Sequence, residues 1–132
     1  MFLRRLEYML GLKGKSEVIV SVNNTAKAVG SGSLEVFATP MMVAMMENAA
    51  IKALQLPEEQ TSVGTYLNVK HIAATPVGMK VWAEAEIIEV EGRRLVYKIE
   101  AYDEKEKIGE GQHERFVVNR DKFMAKANSK NG

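Results

Sequence analysis

The apolar positions change their spacing along the chain, and each change marks an element. Phe2, Leu6, Met9 and Leu10 recur at helical spacing and predict a short amphipathic turn or two. Glu17 to Val22 is β-branched, with Val18, Val20 and Val22 alternating, and predicts a strand. Asn23 to Ser33 is polar and ends in Gly30-Ser31-Gly32-Ser33, the composition of a mobile loop. From Val36 to Ile51 the chain is almost wholly apolar or small and predicts one buried helix. Thr39 is placed to cap it, Pro40 to occupy its first helical position, and Pro57 to stop it after Gln55. Asn48, Lys52 and Gln55 share a wet face, whereas the helical neighbours of Glu47 are Val43, Ala50, Ile51 and Leu54. This spacing puts a carboxylate on the stripe that faces the core, where an unpaired charge is costly.

Beyond the helix the period shortens to two. Ser62 to Ile72 alternates, with Val63, Thr65, Leu67, Val69 and His71 expected on one face. Residues 73–78 break the chain, Met79 to Val90 forms a long strand, and Glu91-Gly92-Arg93 turns it back. Leu95, Tyr97, Ile99 and Ala101 alternate on the next strand, and Ile108 to Asn119 closes the sheet, with Gly109 and Gly111 expected at a bulge or close approach. Asp121 is expected to cap a final turn through Lys126. One strand, one helix apolar on most sides and then a meander of strands is an α+β pattern. A curved antiparallel sheet wrapped around one long central helix, the hotdog fold, satisfies it. The expectation is a single domain over residues 1–132, with 1–15 an N-terminal extension and 127–132 a frayed tail.

Composition narrows the class. A net charge of +1 with the signs interspersed gives no electrostatic case for nucleic acid or an anionic membrane. The absence of cysteine excludes disulfides, thiolate zinc sites and a cysteine nucleophile, and fits a cytoplasmic protein. The apolar run after Arg4 and Arg5 is too short for a signal peptide or a membrane span. Gly14-Lys15-Ser16 is not a phosphate loop, because Met9 stands where the first glycine is needed and a strand follows. The clustered Met41, Met42, Met45 and Met46 suit irregular core space.

Three polar residues fall where burial or a helix end is predicted: Thr39, Glu47 and His71. Thr39 and Glu47 are two turns apart, about 12 Å along the axis. Carboxylate, imidazole and hydroxyl together make a general-base and nucleophile set, whereas each alone has an ordinary structural role. His113 is read as structural or peripheral, with Arg115 on its strand face as a site-supporting ion-pair partner. Arg93, Arg94, Lys105 and Lys107 sit on turns, where charges normally lie.

Glu35 to Thr39, Met46-Glu47, Val63-Gly64-Thr65 and His71 with Ala73 to Gly78, extended by Val90 to Leu95 and Ile108 to Arg115, make the chain resemble the fluoroacetyl-CoA thioesterase family over about residues 35 to 126. The resemblance implies hydrolysis of a short acyl-CoA, with CoA part of the substrate and no separate cofactor or metal. It also implies Thr39, Glu47 and His71 as the catalytic trio, helped by the Gly64 backbone N–H. Candidates for CoA contact are Arg115 on the His113 strand face and, for the phosphates, the turn residues Arg93, Arg94, Lys105 and Lys107. The family's namesake has a lid of phenylalanines before the helix that selects for fluorine. The matching Gly30 to Leu34 has no aromatic ring, which points away from fluoroacetyl selectivity. Gly64 and His71 are about 23 Å apart on a straight strand and cannot meet within one chain. A homodimer joined through antiparallel pairing of the 62–72 edge strand would bring them together. Two other readings use the same fold: a hotdog enoyl-CoA hydratase or dehydratase, and a non-catalytic acyl-CoA or acyl-carrier binding module.

Overall fold

The computed structural model describes residues 5–132. After one tight helical turn at Glu7–Met9 come β1 (Lys13–Ile19), a short α1 (Ala26–Val29) and the central α2 (Thr39–Lys52). The strands β2 (Gln60–His71), β3 (Lys80–Glu91), β4 (Arg94–Asp103) and β5 (Lys107–Asn119) follow, then α3 (Arg120–Asn128) and a last turn at Ser129–Asn131. The five strands form one antiparallel sheet in the order β1-β3-β4-β5-β2, with α2 against its inner face. This is the α+β hotdog arrangement.

Met42, Met45, Met46, Ala49, Ala50 and Ala53 make the buried stripe of α2, spaced three and four apart. They pack on Val81, Ala83, Ala85, Ile87, Tyr97 and Ile99 of β3 and β4, and the buried Tyr97 hydroxyl donates to the carbonyl of Ala50 at 3.0 Å. Glu47 is not on this stripe. It is half-buried in the adjoining row Val43, Glu47, Ile51, which runs from half-buried to exposed. The helix lies mainly over β1 and β3 with far less contact to β2, and Glu47 in this row approaches Gly64 of β2 on the inner face.

Several boundaries differ from the sequence pattern for identifiable reasons. Ala38 caps α2, Thr39 is its first residue, and the Thr39 hydroxyl makes no cap hydrogen bond. The helix ends at Lys52, where the amides of Ala53 and Leu54 close tight turns, rather than at Gln55. Strand β1 starts at Lys13, inside the expected extension, because it pairs residue by residue with Lys80 to Glu86. Gly14 makes this fit possible: a Cβ there would stand 2.1 Å from the Ala49 carbonyl oxygen. Leu6 and Met9 are buried on the same core but form only one turn; Phe2 and Arg4 lie outside the described residues. The polar 23–33 stretch contains α1, capped by Thr25 accepting from the Ala28 amide and ended by a left-handed Gly30. Asn119, not Asp121, caps α3, and the helix continues through the expected tail to Asn128.

Strand β2 contains the correction that matters most for the site. Gly64 pairs with Arg115 and Tyr66 with Glu114, leaving Thr65 as an extra residue in a bulge. The bulge reverses the alternation. Ser62 and Gly64 therefore share the inner face with Leu67, Val69 and His71, opposite the buried Arg115 and His113, while Val63 pairs with the partly exposed Phe116 outside. Gly109 and Gly111 mark close approaches, as a Cβ on Gly109 would stand 2.5 Å from the Met42 sulfur. No described helix is long and apolar enough to cross a membrane.

Candidate active site

The inner face of β2 and the exposed end of α2 hold two polar groups in one chain. The first is Thr39 with His71. Thr39 begins α2 and His71 ends β2, and the hydroxyl and Nδ1 lie 2.7 Å apart. Freedom from capping duty is what leaves the Thr39 hydroxyl available for the imidazole. Among the described residues, the buried Nε2 of His71 has no hydrogen-bond partner. Burial pushes the His71 pKa below the ordinary imidazole value, against a smaller opposing pull from the Ala73 backbone, so the ring is held neutral. The pair lines a cavity of about 300 Å³ with Ala26, Ser31, Phe37 and Ala73.

The second group is Glu47 with Gly64, two helical turns further on. A Cβ added to Gly64 would lie 3.0 Å from Glu47 Oε2, 3.2 Å from His113 Cε1 and 3.3 Å from Arg115 Nη1. The carboxylate thus faces bare backbone, with an imidazole and a guanidinium beside it. His113 Nδ1–H donates to the Tyr66 carbonyl at 2.8 Å, and its Nε2 accepts from Arg115 Nη1 at 3.1 Å, which fixes a neutral ring. Arg115 Nε donates to the Ser62 hydroxyl at 2.7 Å and Nη2 to the Ser62 carbonyl at 3.0 Å. Burial lowers the pKa of both His113 and Arg115; the Tyr66 carbonyl opposes it for His113 and Tyr97 for Arg115, with a smaller upward pull from Glu47 on each. At 5% exposure, with each of its three guanidinium nitrogens donating internally, Arg115 underlies Gly64 and is buried away from the surface where a CoA phosphate would lie. Arg94 and Lys107 are likewise committed, to Glu89, Glu91 and Glu114 and to Glu100 and Glu110.

The structure therefore joins Thr39 to His71, and Glu47 to Gly64, but does not join the two pairs in one hydrogen-bonded unit. Sequence reasoning set His113 aside and missed Ser62. The i, i+2 spacing of His113 and Arg115 was a visible signal of a shared face, but the bulge that turns Ser62 and Gly64 toward them carries no sequence mark beyond Gly64 itself.

The curled antiparallel sheet around one central helix places the chain in the hotdog class, to which thioesterases belong. The sequence model of the fluoroacetyl-CoA-specific thioesterase family matches residues 20–121. A fluoroacetyl-CoA thioesterase of Streptantibioticus cattleyicolor is 46% identical over 98 residues, covering 73% of this chain and 70% of that protein. The solved structure of the fluoroacetyl-CoA thioesterase FlK superposes with a TM-score of 0.85 at 37% identity, over 92% of this chain and 96% of the other. A hot-dog-like protein from Thermanaerovibrio acidaminovorans superposes with a TM-score of 0.87 at 27% identity, over 98% of each chain. The chain belongs to the fluoroacetyl-CoA-specific thioesterase family and is an acyl-CoA thioester hydrolase.

Proposed function

We propose that the chain hydrolyses a short-chain acyl-CoA to the free acid and CoA, in a site completed by a second copy. The division of the polar groups into Thr39–His71 and Glu47–Gly64 carries this reading. β2 is the sheet edge, paired on one side by β5 and on the other by no described strand. Antiparallel pairing of two β2 strands about a two-fold axis sets Gly64 and Glu47 of one protomer against Thr39 and His71 of the partner subunit. It also covers the inner strip beside Val43 and Ile51 that α2 leaves open, where Ile51 is 47% exposed.

In such a site the thioester carbonyl lies near the α2 N-terminus, its oxygen facing backbone N–H groups that include Gly64. Glu47 acts as general base on water or attacks directly to give an anhydride. The base route transfers a water proton to the carboxylate; the anhydride route consumes one water in a second step. With Nδ1–H donated to the Thr39 hydroxyl, the unpartnered Nε2 of the neutral ring is free to take up the proton released from water and pass it to the departing thiolate, which returns His71 to its neutral form. Ala26 and Ser31 in the cavity lining are small, Phe37 there is only 1% exposed, and Gly30 to Leu34 carries no ring, which supports an acyl range wider than fluoroacetyl. The cysteine-free composition supports a cytoplasmic location.

A panel of acyl-CoA substrates with free-thiol detection tests the reading. Thiol release from saturated short acyl chains is expected. Thiol-free consumption of an enoyl-CoA identifies a hydratase, and saturable binding without turnover a binding module. Glu47→Gln is expected to lower kcat by about a hundredfold or more while substrate still binds. A variant with the wild-type rate removes Glu47 from the mechanism.

A further inference from the structure

The segment that follows His71 is tied down by a pair that the proposed chemistry does not use. Thr75 is fully buried, and its hydroxyl donates to Asp103 Oδ2 at 2.7 Å. Asp103, 5% exposed at the end of β4, accepts through Oδ1 from the amides of Lys105 and Glu106 at 2.8 and 2.9 Å. Its own amide closes the same turn onto the Glu106 carbonyl. No cation lies within ion-pair distance of Asp103 among the described residues. A carboxylate buried this way is expensive unless its oxygens are satisfied, and here three donors satisfy them.

The backbone of Thr75 does a second job. Its carbonyl accepts from the Phe37 amide at 2.9 Å, next to the Val36–Pro76 bridge and two residues before Thr39. One residue therefore fastens the segment leaving His71 to the segment entering Thr39, and a buried carboxylate on a third element fixes that residue. Thr39 and His71 are 32 positions apart in the chain and meet at 2.7 Å. Among the described residues, the backbone connection between their two segments runs through residues 36–37 and 75–76.

We propose that Thr75 and Asp103 are positioning residues for the hydrolase, a latch that sets the Thr39–His71 hydrogen bond. The inference rests on the proposed role of that pair in catalysis. Burial alone would raise the Asp103 pKa, but the amides of Lys105 and Glu106 and the Thr75 hydroxyl bring it below the usual carboxylate value, so the latch is closed at neutral pH.

Thr75→Val removes the hydroxyl and keeps the shape; Thr75→Ser keeps the hydroxyl. The valine variant is expected to lower kcat about tenfold or more with KM within about twofold of wild type, since small displacements of aligned groups are costly. Nitrogen NMR of the labelled His71 imidazole is expected to lose the hydrogen-bonded Nδ1 signal, and the serine variant to restore both readouts. Where the valine variant fails to fold, Thr75→Ala, which also removes the hydroxyl and leaves Asp103 its turn amides, is read in the same way. A folded variant that melts lower yet keeps wild-type kcat and the wild-type His71 signal overturns the latch and leaves an ordinary structural pair. Loss of the His71 signal with undiminished hydrolysis upholds the latch and instead overturns the role of Thr39–His71, as full activity of His71→Ala would.

Discussion

Thr39 shows how one residue's local duty decides its availability. As a cap its hydroxyl would be spent on the first turn of the helix; as the first helical residue, behind Ala38, it is free to meet His71. The sequence marked Glu47 and His71 because each breaks an apolar pattern, and Thr39 because it stands at a helix end, but it could not set the distances between them. Burial keeps the His71 ring neutral to lower pH than a solvated imidazole. A mechanism that needs neutral His71 and ionised Glu47 then has an acidic limb in kcat/KM below the ordinary histidine value of about 6.5. Activity rises with pH through that limb and stays up at neutral pH. An inflection at or above the ordinary value would mean that another group sets the limb.

At the scale of elements, the meander and the central helix were legible because long periodic runs resist misreading. β1 was displaced because pairing with β3 and the close approach of Gly14 to α2 outweigh the β-branched run at 17–22. The Thr65 bulge was not legible at all, since nothing in an alternating run says which residue will be looped out. Gly14 offers a test of how tightly strand and helix are fitted. In Gly14→Ala the new methyl meets the Ala49 carbonyl and the Ala53 amide, backbone atoms that cannot swing aside. The expected loss is about 2–3 kcal/mol of stability, read as a lower midpoint in denaturant titration with an unchanged slope. Stability equal to wild type would show that α2 slides freely over β1.

For the whole molecule the question is whether one chain suffices. Glu47→Gln and His71→Ala should each be inactive alone. If each site takes Glu47 from one protomer and His71 from the other, unfolding and refolding an equal mixture gives mixed dimers with one intact site of two. About a quarter of wild-type activity is then expected, since half the dimers are mixed. No recovery on mixing, or a monomer by light scattering at micromolar concentration, would place the whole reaction within a single chain.

The fit of Met42 against Gly109 has a chemical corollary. Its thioether is sealed between helix and sheet, with no room for an added oxygen atom. Peroxide can reach that sulfur only while α2 stands away from the strands, so a sulfoxide at Met42 is the scar of a molecule that had come apart and closed again.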